Sequence, residues 1–310
     1  MLKRFSPYRT APTDHPLFNF ELRRIRWGDS AEALRRGSWK TFRRMIALTF
    51  VAWIVLMLLH YRGRMGSSFW YYDGSALAWL VLGSLGANLI LDGWCMRASV
   101  SGISGDVVGG RWDLLRLTLL DEQAILDSKL TIARIRAWRV AMAVVALRFG
   151  VVALLVFQSG VLPLFAGRRY TSIFSTFTEN NLIENGFIWS ALFLTGFVYI
   201  IEPIWRLRLQ TAVGLLISSY TRSLTTGWLL ALLAAFVVWL SQAIIAYLGI
   251  SLVGELNRLM RRYFEYDSLR DLIFFWLVVV VAVLVVFGYY RLVQWVALRR
   301  TLRRIVRIEA

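Results

Sequence analysis

The chain has 310 residues, of which 58% are hydrophobic, and its mean hydropathy is +0.57. Soluble domains keep the apolar fraction nearer half, whereas several runs here approach the ~20 residues that cross a ~30 Å hydrocarbon core. The composition therefore excludes an ordinary soluble domain and predicts an all-α integral membrane protein.

The formal charge of +17 comes from 36 Lys and Arg residues against 19 Asp and Glu residues. Only three of the basic residues are lysines, and the arginines crowd at the ends of apolar stretches. That placement is typical of topology signals and headgroup contacts. It argues against nucleic acid as the partner of these charges.

The sequence patterns that mark catalysis, metal binding or ATP binding are missing. Cys95 is the only cysteine, which excludes an intrachain disulfide, and His15 and His60 lack metal-ligand spacing. No G-x-x-x-x-G-K-[ST] motif occurs, so ATP is not expected to bind this chain through a P-loop. No Ser/His/Asp set or carboxylate pair indicates an enzyme, and no cofactor is expected on this chain.

The predicted elements begin with a basic N-terminal segment, residues 1–44, which has no early apolar core. A cleavable signal peptide is therefore not expected. Six candidate spans follow. They are 45–60, 75–95, 139–163, 187–205, 224–250 and 272–297. Pro203 is expected to kink or end the fourth span, so that residues 206–220 either continue it or form a separate interfacial helix.

The distribution of basic residues predicts the orientation. With a cytoplasmic N-terminus, the inner segments hold 27 Lys and Arg residues and the outer loops hold eight. These inner segments are 1–44, 96–139, 206–222 and 291–310. The positive-inside rule then places both termini in the cytoplasm. The predicted organisation is an amphipathic segment (1–44), a transmembrane domain (45–297) and a basic tail (298–310).

A polar, helix-prone segment, residues 101–137, separates the second and third spans. RWDLLRLTLL places Trp112, Leu115 and Leu119 on one helical face, and Asp121 is the predicted N-cap of a second helix. Three glycines permit tight turning before the first helix: Gly105, Gly109 and Gly110. From these residues alone, residues 111–137 are predicted to form two short helices, and the plain interpretation of the segment is an interfacial helix that lies on the headgroups.

The stretch I-S-G-D-x-x-x-G-R-W-D-L-L-R-L-T resembles the segment between spans two and three of ABC-2-type transporter permeases. FNFELRRIRWG (18–28) is similar to the amphipathic N-terminal segment of that family, and VGLLISSYTRSLTTGWLLALLAAF (213–236) to the stretch that leads into span five. The matching residues of the first stretch are Ser104, Gly105, Asp106, Gly110, Trp112, Asp113, Leu114, Leu115, Thr118, Ile125 and Lys129. The chain departs from the family pattern at Val107-Val108-Gly109, Arg111 and Leu119-Leu120, where a charged cluster, Thr and Pro-Leu are usual.

The resemblance implies that residues 104–120 include a coupling helix, which docks into a groove of a separate ABC ATPase subunit that binds ATP and Mg. The residues implied to bind this partner are Gly105, Asp106, Gly110, Arg111, Trp112, Asp113, Leu115, Arg116 and Leu119. Two copies, or one copy and a related permease, would form an export pathway across the plasma membrane. The alternative is a transport-inactive membrane scaffold that keeps the permease fold and anchors a cytoplasmic partner.

Three ionisable residues lie within or at the ends of predicted spans: Asp92, Arg148 and Glu202. Arg148 lies about nine residues into the third span, roughly 14 Å deep at ~1.5 Å per residue. Because a lone arginine is unfavourable at that depth, we expect Arg148 to face the bundle and to pair with Asp92 or Glu202. The alternative is that Arg148 snorkels to the inner headgroups as an anchor.

Overall fold

A computed structural model describes residues 6–7, 17–18, 20–21, 31–62, 73–112, 115, 121–157, 182–263 and 268–307. The regular structure in these residues is entirely helical, as predicted. The helices, numbered in chain order, are α1 (Ala31–Arg62), α2 (Asp73–Ser99), α3 (Ser104–Val108), α4 (Glu122–Val156), α5 (Leu182–Tyr220), α6 (Leu224–Tyr263) and α7 (Ser268–Arg307).

Five helical stretches in the described part of the chain are long and apolar enough to cross a membrane. They are Leu77–Val108, Glu122–Val156, Ser190–Tyr220, Thr225–Gly249 and Trp276–Val306. This arrangement is compatible with a multi-pass membrane protein. The predicted span 45–60 lies within α1, and its apolar stretch is shorter than the ~20 residues of a full crossing. A sixth crossing therefore stays a prediction.

Helix α5 continues without a break through Pro203, so residues 206–220 extend the fourth predicted span. Of the two alternatives left open by the sequence, the structure has the continuous helix and not a separate interfacial helix. Proline has no amide hydrogen and leaves the carbonyl four residues earlier, that of Tyr199, without its helical partner. Arg148 of α4 donates from Nη1 to this carbonyl at 2.6 Å. A neighbouring helix thus satisfies the backbone group that the proline frees.

The prediction of two short helices between the second and third spans was only partly right. Asp121 is the N-cap of α4, as predicted, and its side chain accepts a hydrogen bond from the Gln123 amide at 3.4 Å. Helix α4, however, continues into the third predicted span (139–163) as far as Val156. Gly105 lies inside α3 instead of a turn. Gly110 forms the turn after α3 with a φ of 65°, a conformation that favours glycine.

The central helix of the bundle is α4, in which more than half of the residues are buried. It packs against α1, α2, α5 and α7. Helix α7 packs along α5, and the two helices run in the same direction. Two contacts show this direction: Trp205 lies beside Tyr290, and about four turns further along both helices Tyr220 lies beside Arg304. Polar groups on α4, α5 and α7 are therefore brought together in the interior.

Small residues allow two of these helix pairs to approach closely. A Cβ atom on Gly214 of α5 would overlap the hydroxyl of Ser99 on α2. A Cβ atom on Gly150 of α4 would lie 2.9 Å from Cγ2 of Thr49 on α1, also closer than real contacts. The close approach of α2 and α5 places the polar groups of these two helices within hydrogen-bonding reach.

Candidate functional site

Arg148 lies in the interior of the bundle and is only 2% exposed. Its Nη1 lies 2.7 Å from Oε2 of Glu202 on α5, and its Nη2 donates to Asn88 Oδ1 on α2 at 3.0 Å. The guanidinium also lies over the ring of Tyr199, 4.6 Å from the centroid. The predicted pairing with Glu202 is therefore present. The alternative of a side chain that reaches out of the bundle does not fit this geometry.

Asp92 has a different partner, Arg206 of α5, which the sequence analysis counted only as a topology signal. Arg206 donates from Nε and Nη2 to the two carboxylate oxygens of Asp92, at 2.7 and 2.8 Å. Such a bidentate pair is the strongest geometry for these two groups. Trp239 of α6 donates from Nε1 to the same carboxylate at 2.8 Å, and its ring lies under the Arg206 guanidinium.

Glu202 joins the two ion pairs. Its Oε1 accepts a hydrogen bond from Arg206 Nη1 at 3.2 Å and another from the hydroxyl of Tyr290 on α7. Gln242 of α6 bridges the same two partners, since it accepts from Arg206 at 3.1 Å and donates to Tyr290 at 3.0 Å. We call the four charged residues the charge network: Asp92, Arg148, Glu202 and Arg206.

The charge network carries no net charge and connects α2, α4 and α5 directly. Trp239, Gln242 and Tyr290 extend it to α6 and α7. Charges in an apolar bundle are expected to pair in this way, because an uncompensated one is strongly unfavourable. Among the described residues no group of three or more His, Cys, Asp or Glu could hold a metal ion. The chemistry of the charge network is therefore that of paired charges that fix helices relative to one another.

A second polar cluster lies where α3 meets the start of α4. Lys129 of α4 is 5% exposed and donates to the Asp106 carboxylate of α3 and, at 2.5 Å, to Oε1 of Glu21. Arg111 lies on the outer side of Asp106, with its Nη2 3.3 Å from Oδ1. We call these four residues the loop anchor: Glu21, Asp106, Arg111 and Lys129. The anchor joins three parts of the chain that are far apart in sequence.

Ser218 fixes the other end of α3. Its hydroxyl accepts hydrogen bonds from the amides of Ile103 and Ser104, both at 2.9 Å, and so satisfies donors that a helix N-terminus leaves free. The resemblance singled out the stretch that contains Ser218 but gave this residue no role. A pair of serines near the end of an apolar helix is a usable signal, because serine hydroxyls readily bond to nearby backbone.

The residues implied to dock a partner are not all on the surface. Trp112 is only 4% exposed and packs in the same apolar cluster as Leu17 and Ile125, with Leu115 partly buried against it. Asp106 is buried in the loop anchor. The exposed part is the turn at the end of α3, where Val108 is 68% exposed. The remaining implied residues, Asp113, Arg116 and Leu119, lie outside the described residues.

The two clusters thus share helix α4, which carries Arg148 of the charge network and Lys129 of the loop anchor. The charge network is inside the bundle, whereas the loop anchor lies under an exposed turn. In this arrangement Asp106 and Trp112 face the chain itself, whereas Val108 at the end of α3 is exposed. No protein-family model, no curated protein and no solved structure matches this chain.

Proposed function

We propose that this chain is the membrane subunit of an ATP-binding cassette transporter of the ABC-2 class. Two copies, or one copy and a related permease, form an export pathway, and separate ATPase subunits bind ATP and Mg. The surface offered to the ATPase is the docking turn, residues 108–111, together with the segment that follows it. Trp112 and Asp106 support this surface from inside and do not contact the ATPase.

The observation that carries the proposal is the connection between the docking turn and the bundle. Asp106, two residues before Val108, is held by Lys129 of α4, and the first residues of α3 are held by Ser218 of α5. A displacement of the docking turn is therefore transmitted to α4 and α5 through these contacts. These are the helices that the charge network locks to α2. Such a connection is what a rigid-body switch between two bundle arrangements requires.

The test is co-purification of the full chain from its native membranes, with associated ATPase subunits identified by mass spectrometry. Val108→Asp adds a charge to the centre of the docking turn and should abolish recovery of an ABC ATPase. Val306→Asp is the matched control, because Val306 is 45% exposed near the end of α7. If no ABC ATPase is recovered with the wild type, or if both variants retain it, the proposal is wrong.

A second candidate is a transport-inactive scaffold that holds a cytoplasmic partner by the same turn. It is favoured by the closed charge network, in which each of the four charges already has an oppositely charged partner. The two functions differ in whether ATP hydrolysis by the bound subunit responds to the membrane chain. A scaffold predicts that the charge-neutral double variant Asp92→Leu with Arg206→Met leaves the ATPase rate of the complex unchanged, whereas a transporter predicts a changed rate.

A further inference from the structure

Three tryptophans on the surface of the bundle each have an arginine guanidinium over the indole ring. The Cζ atoms of the arginines lie 5.7, 5.6 and 5.0 Å from the ring centroids, within the range of cation–π contacts. The tryptophans are 46%, 44% and 55% exposed, and the arginines are exposed as well. We call these the surface pairs: Trp39–Arg43 on α1, Trp94–Arg97 on α2 and Trp295–Arg299 on α7.

The arginines of the surface pairs differ from the buried arginines of the charge network. Arg148 and Arg206 also lie over aromatic rings, but each has a carboxylate within 3 Å. No carboxylate of the described residues forms an ion pair with an arginine of the surface pairs. A ring holds a cation in place without neutralising its charge. Each surface pair therefore presents a fixed positive charge beside an exposed apolar ring.

Contacts with α4 place the first two surface pairs at one level of the bundle. Trp94 donates from Nε1 to the carbonyl of Arg136 at 3.3 Å. Arg139, three residues further along α4, donates from Nε to the hydroxyl of Thr41 at 3.0 Å. Trp39 lies two residues before Thr41 on α1. Trp39 and Trp94 are thus at the height of the same turn of α4.

The third surface pair is at the same level, as the contacts of α5 show. Trp205, which precedes the partner of Asp92 on α5, lies beside Tyr290 on α7. Helices α2, α5 and α7 run in the same direction. Trp94 follows Asp92 by about 3 Å, and Trp295 follows Tyr290 by about 7.5 Å, at ~1.5 Å per residue. The difference is less than one helical turn.

The surface pairs lie where the exposed apolar surface of the bundle ends. Toward the middle of the bundle, each pair is followed on its helix by an exposed leucine: Leu48, Leu89 and Leu292. Trp94 and Trp295 stand just before the ends of the predicted spans 75–95 and 272–297. Tryptophan favours the level at which hydrocarbon meets the headgroups, because its ring is apolar and its N–H is polar. A guanidinium over such a ring is therefore at the depth of the lipid phosphates.

We propose that the three surface pairs bind the phosphates of anionic phospholipids, with each indole ring against the start of an acyl chain. Guanidinium groups match the geometry of phosphate oxygens. A phospholipid with a net negative charge suits these sites better than a zwitterionic one, whose ammonium group would lie near the guanidinium. Because α1 packs on α4 whereas α7 packs on α5, the sites surround the bundle and need no cavity. This binding does not depend on the transport function.

The test measures the lipid that stays bound to the full chain. The chain is reconstituted into vesicles of equal phosphatidylglycerol and phosphatidylcholine and purified in a neutral detergent, and both lipids are quantified by mass spectrometry. The wild type should retain phosphatidylglycerol in excess. The triple variant of the surface pairs should lower this excess about fivefold at each site, since one arginine near an anionic surface corresponds to roughly that factor. Its substitutions are Arg43→Gln, Arg97→Gln and Arg299→Gln.

The matched control removes three charges from the same end of the bundle, at exposed positions without a ring under the cation. It should change the excess less than about twofold. Its substitutions are Lys40→Gln, Arg222→Gln and Arg303→Gln. If the triple variant of the surface pairs does not fold, the single variant Arg299→Gln takes its place, with Arg303→Gln alone as its control.

A second variant separates the rings from the charges. Trp39→Leu with Trp295→Leu keeps every arginine and should still lose part of the excess, because the guanidinium groups are no longer held in place. Retention of the full excess by this variant would overturn the proposal, since the charges would then act without the rings. Equal amounts of the two lipids on the wild type, or equal losses in the arginine variant and its control, would overturn it as well.

Discussion

The charge network and the loop anchor contain the same charges, two carboxylates and two cations, in different surroundings. Both cations of the charge network are arginines that are 2% exposed, and the Asp92 pair is bidentate. In the loop anchor a single lysine serves two carboxylates, and the side chain of Arg111 is 38% exposed. The two clusters therefore differ although they contain equal numbers of charges. The charge network is buried and holds its helices rigidly, whereas the loop anchor has one member, Arg111, that solvent can reach.

The physical reason is the difference in desolvation. Buried ions lose several kcal/mol of hydration each, so a buried cluster persists only when every charge has a close partner. A cluster with one edge in water tolerates a looser arrangement, and a partner's charge can compete for its exposed member. We therefore expect changes in the charge network to act mainly on stability. Changes in the loop anchor should act on stability less and on the docking turn more.

The largest effect is expected for Arg206→Met, which leaves Asp92 without its cation. The free energy of unfolding in detergent should fall by about 3–5 kcal/mol, as is usual when one partner of a buried pair is removed. The double variant Asp92→Leu with Arg206→Met should regain most of this loss, because no unpaired charge is left. Arg222→Met, at an exposed position after α5, is the control and should change little. If the double variant is as unstable as the single one, the loss does not come from the unpaired charge of Asp92.

Lys129→Met tests the other half of the comparison. Asp106 keeps Arg111 as a partner while Glu21 loses its cation, so we expect a loss of about 3 kcal/mol, at the lower end of the range for broken buried pairs. The variant should also expose the docking turn to a protease at lower concentration than the wild type. Lys40→Met, on an exposed position of α1, is the matched control. Unchanged protease sensitivity would show that the anchor does not hold the turn.

Gly214→Ala probes the contact between α2 and α5, at a position on α5 between Arg206 of the charge network and Ser218, which holds the start of α3. The added Cβ overlaps the Ser99 hydroxyl, so the helices must separate, and we expect a loss of roughly 1–3 kcal/mol on thermal unfolding. Gly83→Ala, where nothing lies within 4 Å, is the control and should be neutral or slightly stabilising. Ser99→Gly should rescue Gly214→Ala if the overlap is the cause.

The smallest effect is expected for Asp121→Ala, which removes the N-cap of α4 beside the loop anchor. A loss of about 1 kcal/mol is typical of such a change. Hydrogen exchange should speed up at the Gln123 amide and its neighbours, and should stay unchanged around Arg148. The control is Gln123→Ala, whose side chain is exposed in the same turn. Equal exchange in both variants would mean that the cap does not stabilise this turn.

Much of the fold could be predicted because apolar runs and charge placement are local signals. The pairing of Arg148 with Glu202 was predictable as well, since an arginine in the middle of a span requires a counter-ion. The Asp92 pair was missed because Arg206 follows the predicted end of a span and was counted with the topology signals. The spacing of Glu202 and Arg206, four residues apart on a helix, would have indicated their proximity.

Other features depended on contacts between distant parts of the chain and could not be predicted. The pattern around Trp112 shows which face of a helix is apolar, but not whether the chain itself or a partner covers it. In the same way, Pro203 predicts a break in the helix unless another group donates a hydrogen bond to the carbonyl that the missing amide would have bonded. That group is a side chain 55 residues earlier in the sequence, at Arg148. Local propensity contains no information about it.

The charge network also has a consequence for the order of synthesis and membrane insertion. Asp92 and Arg148 are made before Glu202 and Arg206, the residues that neutralise them in the finished bundle. An unpaired charge at the centre of a span is unfavourable by about 2.5–3.5 kcal/mol on insertion scales, and of the two residues Arg148 is the one predicted to lie deep in its span. In a nascent chain that has not yet reached α5, Asp92 and Arg148 lack the partners that they have in the finished bundle, and a temporary pairing of the two with each other would compensate both charges. Once α5 has been made, Glu202 and Arg206 replace this temporary pairing with the final one. A chain truncated before α5 should therefore be degraded faster than the full chain, because its intramembrane charges lack their final partners.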